Sequence, residues 1–117
     1  MSVNKVILVG ALGADPEIKV GERTLTKMSV ATNESWTDKE GVKQEKTEWH
    51  KVTAWGKLGD LCGQYLKKGR QVYVEGKIQT RSWDDDAGVK KYITEVVADT
   101  VKFLGKSDKE NTNEQSF

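Results

Sequence analysis

The chain has one cysteine, one histidine, one proline and almost no net charge, and each scarcity excludes something. A single thiol, Cys62, rules out an internal disulfide, and one thiol with one imidazole, His50, is too few for a Cys/His metal framework. No metal or cofactor is expected. No apolar run approaches membrane-spanning length; the longest, Val6 to Val9, ends at Gly10. The opening residues, MSVNKV, carry neither a basic cluster nor a secretory hydrophobic segment, so a cytoplasmic location is the expectation. No nucleophile stands beside a base, and with one histidine any acid–base work would fall to scattered carboxylates, so the chain does not read as an enzyme. A net charge of +1, with a pI near 7.8, counts against a polyanionic partner unless cations cluster locally and acids elsewhere cancel them in the sum.

What is present suits one domain with a short tail: 117 residues, 36% hydrophobic and 32% charged, a globular balance. Val3 to Leu12 reads as a strand, apolar enough to be buried on both faces, which calls for a cover from the far side of a barrel or from a second subunit. Asp15-Pro16 is a turn. Arg23 to Trp36 is a second strand, with Leu25, Met28, Val30 and Ala31 apolar; strict alternation puts Trp36 on the inward side with Met28 and Val30, although the polar run before it weakens that parity. Asp38 to Lys46 reads as a mobile, charged hairpin loop. After a third strand, Leu58, Leu61, Cys62, Tyr65 and Leu66 form the stripe of a short amphipathic helix. Lys67 and Lys68 fall in its last turn and Gly69 stops it, while Cys62 reads as a small buried hydrophobe. Gln71 to Trp83 alternates again, and Val89 to Leu104 is the last strand. Residues 106–117 are polar and without periodicity, a disordered C-terminal tail to a domain spanning 1–105.

Three short motifs carry no chemistry. Gly10-Ala-Leu-Gly13 follows a strand instead of joining two helices, Gly56-Lys57 lacks the rest of a phosphate loop, and in Asp84 to Gly88 the glycine breaks the series of ligands a calcium loop needs.

The third strand, Thr47 to Trp55, is the informative one. Alternation places Thr47, Trp49, Lys51, Thr53 and Trp55 on one face and Glu48, His50, Val52 and Ala54 on the other. The small apolar residues suit a core, which leaves both indoles on the wet face beside a lysine. Trp83 repeats the pattern on the fourth strand, sharing a side with Lys77 and Arg81. A base can stack on such a ring while a cation meets the phosphate. The alternative is that the indoles are core residues of a sheet covered on both faces. Five strands with one short helix between the third and fourth point to an all-β OB-fold, a five-stranded Greek-key barrel that binds oligonucleotides or oligosaccharides. A sandwich fits the same strands.

Several stretches resemble the bacterial single-stranded DNA-binding protein family, in order and spacing: Asn4-Lys-Val-Ile-Leu-Val-Gly10, Leu12-Gly13-Ala-Asp-Pro16, Glu34-Ser35-Trp36, Thr47-Glu-Trp-His50, Trp55-Gly-Lys-Leu58, Tyr65-Leu-Lys-Lys-Gly69, Gln71-Val-Tyr-Val-Glu-Gly76 and Thr94-Glu-Val-Val97. The resemblance covers about residues 2–105. It implies an OB-fold homotetramer that binds and protects single strands in replication, recombination and repair. By position, the stacking aromatics would be Trp36, Trp49, Trp55 and Trp83, with phenylalanine common in relatives at Trp55. The phosphate-contacting cations would be Lys39, Lys51, Lys57, Lys68 and Arg81. Ser82 stands where relatives often have a basic residue, so that contact is not carried over. His50 matches a subunit-interface residue, and Asn4 and Tyr73 are placed at that interface with it. The tail departs most: it ends Asn113-Glu-Gln-Ser-Phe117, and of the acidic partner-docking tip it keeps only Phe117 and one nearby acid. The rival reading is an OB-fold protein-interaction module or primosome-type adaptor with little DNA binding of its own; near-neutral charge suits it, four tryptophans do not.

Overall fold

Alternating small aliphatics make strands that can bury one face each, and five of them close around a common interior. The computed structural model describes residues 1–105 and, in backbone alone, 115–116. The long strands are β1 (Val6–Leu12), β3 (Leu25–Thr37), β4 (Lys43–Trp55), β5 (Gln71–Asp84) and β6 (Lys90–Leu104); β2 (Glu17–Lys19) is a short strand before β3, and helix α1 (Gly56–Tyr65) links β4 to β5. Neighbours run β1-β5-β6-β4-β3-β2, and β1 also pairs with β3 at Ala11↔Ala31 and Leu12↔Val30, which closes the barrel. Gly10 makes that crossing possible, since a Cβ there would collide with the Ala31 carbonyl oxygen and lie 3.0 Å from its carbon. Gln115–Ser116 (β7) pairs with β6 opposite Phe103 and Lys102.

The interior holds Val30, Val52, Val72, Val74, Val101 and Phe103, all essentially sealed from solvent. Each such side chain contributes about 1.5–3 kcal/mol relative to exposure. Helix α1 adds Cys62 to this core, with Leu66 just past its end, and is tied to β3 by the buried Thr26 hydroxyl, which donates to the Gly59 carbonyl at 2.7 Å.

Past the core, the β3–β4 and β5–β6 ladders continue as two arms. β3 stays paired to Thr37↔Lys43 and β5 to Asp84↔Lys90, while most arm residues are exposed on both faces. Both tips are built alike. The Asp38 carboxylate accepts the N–H groups of Glu40 and Val42, and the Asp85 carboxylate those of Ala87 and Val89, all at 2.9 Å.

The five-strand, one-helix barrel matches the sequence expectation, with corrections in detail. β1 begins at Val6, and within the single chain it is buried on one face: Leu8 and Leu12 point inward, whereas Ile7 and Val9 are each 55% exposed, so the barrel does not supply the second cover. Short β2 occupies the stretch after the Asp15-Pro16 turn, pairing Ile18 with Thr26. The loop expected over Asp38 to Lys46 is a tight turn, with β4 already begun at Lys43. Helix α1 ends at Tyr65, so Lys67 and Lys68 lie beyond it and Gly69 is four residues past its end. Trp36 is exposed in spite of its inward parity, because it stands on the arm, where no barrel interior remains to receive it. The reading of 106–117 as a disordered tail, and of Phe117 as a docking residue, lies outside the described residues apart from the backbone of β7.

Candidate nucleic-acid interface

The register of β3 against β4 pairs Ala31 with Trp49, Ser29 with Lys51, Lys27 with Thr53 and Leu25 with Trp55. Directly paired residues share a face, so these eight side chains lie together on the outside of the barrel. Lys51 and Thr53 sit between the two indoles, which are about 20 Å apart along the strand at the usual rise per residue. Trp49 and Trp55 are 58% and 42% exposed, while Val52 and Ala54 between them are buried.

Each ring is seated by a neighbour. Trp49 lies against Gly13, where an added Cβ would strike ring atom Cζ3 and come within 2.7 Å of Cη2. The Arg23 guanidinium stands 5.5 Å from the Trp55 ring centroid, and that of Arg81 5.8 Å from the Trp83 ring, both within cation–π range. Trp83 is exposed on the β5–β6 arm.

Between the β3–β4 face and the β5–β6 arm runs an open groove of about 350 Å³, lined by Lys27, Ser29, Lys51, Thr53, Arg81 and Glu95 among others. Its cations are close enough to feel one another. Lys27 is held below the usual lysine range first by repulsion from Lys19, then by burial, with Arg81 a smaller contributor. Cations are thus gathered locally in a chain of net charge +1. The Thr53 hydroxyl, buried in the groove wall, has no hydrogen-bond partner among the described residues.

Of the nine residues expected at a binding face, the structure brings Trp49, Trp55 and Lys51 onto one sheet face, with Arg81 across the groove and Trp83 beside Arg81. Trp36 pairs with Gln44, which by register puts it on the opposite face of its arm. Lys39 sits in the arm tip, and Lys57 and Lys68 flank the two ends of α1; none of the three lines the groove. The Lys68 N–H donates to the Asp15 carboxylate at 2.8 Å.

Lys27, Arg23 and Glu95 were missed. Lys27 was legible, since it alternates with buried Thr26 and Met28 and so must face outward. Glu95 was not, because it precedes two valines and parity is ambiguous there.

The three residues placed at an interface have partners within the chain. The Asn4 side chain clamps Ile78, donating to its carbonyl and accepting its N–H, each at 2.9 Å. His50 Nε2 is hydrogen-bonded to the Thr32 hydroxyl at 2.9 Å. The Tyr73 hydroxyl donates to Glu75 at 2.6 Å, which raises the phenol's pKa and lowers the carboxyl's. Tyr73 pairs with exposed Val9, and Glu75 with exposed Ile7. Among the described residues no helix is long and apolar enough to cross a membrane, and no group of three His, Cys, Asp or Glu side chains could hold a metal ion.

A closed five-stranded barrel with one helix between its third and fourth long strands is an OB-fold. The single-strand binding protein family model matches residues 3–104, and the chain belongs to that family; it is a binding protein and not an enzyme. It is 52% identical over 109 residues to single-stranded DNA-binding protein 1 of Chlorobaculum tepidum, covering 91% of this chain and 67% of that one. Among solved structures it resembles the Plasmodium falciparum SSB complex with ssDNA, at 37% identity and TM-score 0.80, covering 90% of this chain and 97% of that one. It also resembles a deletion mutant of the single-stranded DNA binding protein from Thermus aquaticus, at 30% identity and TM-score 0.77, covering 88% of this chain and 51% of that one.

Proposed function

We propose that this protein binds single-stranded DNA without strong sequence preference, stacking bases on exposed indoles while lysine and arginine meet the phosphates. The observation that carries the reading is the shared outer face of β3 and β4, where Trp49 and Trp55 flank Lys51, beside a groove whose lining includes Lys27, Lys51 and Arg81. Stacking suits any base because every base has a π-face, and each stacked base contributes about 1–3 kcal/mol. Phosphate contacts make affinity fall with salt, with a slope near 0.7 per phosphate neutralised on a single strand. Duplex DNA hides its base faces, so the same surface discriminates against it. Membership of the single-strand binding family supports this reading, as does the solved relative in complex with ssDNA.

The protein serves in the cytoplasm, protecting strands opened in replication, recombination and repair. It assembles as a homotetramer. What supports assembly is the uncovered outer face of β1, where Ile7 and Val9 stand beside Tyr73. Several faces on one particle would let a strand wrap with greater avidity than one barrel offers.

Titration with oligo-dT quenches the tryptophan fluorescence, and Trp49→Ala and Trp55→Ala each weaken binding by about 1–3 kcal/mol. Unchanged affinity in both variants would remove the stacking face.

A further inference from the structure

The groove carries its own acid. Lys27, Lys51 and Arg81 line it, but so do Asp15, Glu17 and Glu95, so its formal charge is close to zero. These acids are not equivalent. Asp15 is occupied with the Lys68 N–H, and Glu17 is on the exposed strand β2. Glu95 alone is buried, at 6% exposure, and its Oε2 accepts the Arg81 Nε–H at 2.9 Å while Arg81 remains 47% exposed. A buried carboxylate costs desolvation, and a glutamine would offer Arg81 a neutral acceptor at the same place. Holding the guanidinium beside Trp83 therefore does not require the charge. The charge changes something else, namely what a phosphate finds when it reaches Arg81.

We propose that Glu95 sets the salt dependence of the groove, by keeping Arg81 in an internal ion pair so that an arriving phosphate finds a neutral pair in place of a free cation. A phosphate paired with an uncompensated cation releases its condensed counterion; one meeting the Arg81–Glu95 pair does not. Arg81 thus orients the strand without adding to the electrolyte sensitivity of binding, and strands are released more readily than a fully cationic groove would allow. The inference rests on the single-strand reading above.

The test is the slope of log affinity against log salt for oligo-dT, read by tryptophan quenching on the full chain. Glu95→Gln makes the slope steeper by about 0.7, which over a fourfold rise in salt is about a 2.6-fold greater loss of affinity, and binds more tightly at low salt. The double variant Arg81→Gln/Glu95→Gln, which removes the pair without leaving a bare charge, keeps the slope at the wild-type value. A Glu95→Gln slope equal to wild type, or a double-variant slope flatter by about 0.7, would overturn the proposal while leaving single-strand binding intact. Should Glu95→Gln fail to fold, the double variant decides alone. No quenching of the unaltered chain by oligo-dT would overturn both the proposal and the reading beneath it.

Discussion

The indole of Trp49 rests on the backbone of Gly13, so closely that no side chain fits between them. Gly13 is itself fixed, because its N–H donates to the Ser29 carbonyl at 3.0 Å. The glycine after β1 thereby sets the position of a ring on β4. Gly13→Ala keeps an allowed backbone conformation but lifts the indole. We expect stability within about 0.5 kcal/mol of wild type and an affinity loss of up to one stacking contribution, about 1–3 kcal/mol. Thermal melts and an oligo-dT titration check the two halves separately.

Val9 tests assembly. It is half exposed on β1 and pairs with Tyr73, and nothing inside the barrel depends on it. Val9→Glu places a carboxylate on the face proposed to meet another subunit, where an unpaired buried charge is costly. Light scattering at micromolar concentration should report a smaller particle than wild type, with the far-ultraviolet circular dichroism unchanged. A tetramer that survives the substitution would place the interface elsewhere.

Cys62 tests the core. Burial pushes its thiol from 9.0 up to about 12, because the thiolate finds no solvation inside the barrel. The folded pKa lies above the unfolded one, so the folded state keeps its proton between pH 9.0 and about 12 while the unfolded state loses it. Stability contributed at this site is full below pH 9.0 and is lost as pH rises through that window, at up to about 1.4 kcal/mol per pH unit. Urea unfolding should show wild type losing stability faster than Cys62→Ala as pH rises above 9.0. Native protein should also resist thiol reagents at pH 8 and react once unfolded.

The strands were readable wherever one face is aliphatic and the other polar, which is why Val52 and Ala54 located the interior and Trp49, Lys51 and Trp55 the exterior. The same logic failed at Trp36, and at Val9 continuous apolarity called for a cover that the barrel itself does not supply. Parity says which face a residue shares, and only the extent of the barrel says whether anything lies behind that face. Trp36 stands beyond the barrel, and Val9 on an outer face that this chain leaves open. Pairing of Arg81 with Glu95 was hidden for a different reason: it depends on the cross-strand register of β5 and β6, including a shift at Glu75/Gly76 that no local pattern announces. Charge summed over the chain is silent on arrangement, since proximity of Lys19, Lys27 and Arg81 is a property of the fold and not of the total.

Because both arms run on past the sealed interior, most of their side chains contribute little to holding the chain folded. Grip and scaffold are in this sense separate inheritances: arm positions such as Trp36, Lys39, Ser82 and Trp83 are open to exchange one at a time, shifting preference and tenacity, while the barrel that carries them goes on forming as before.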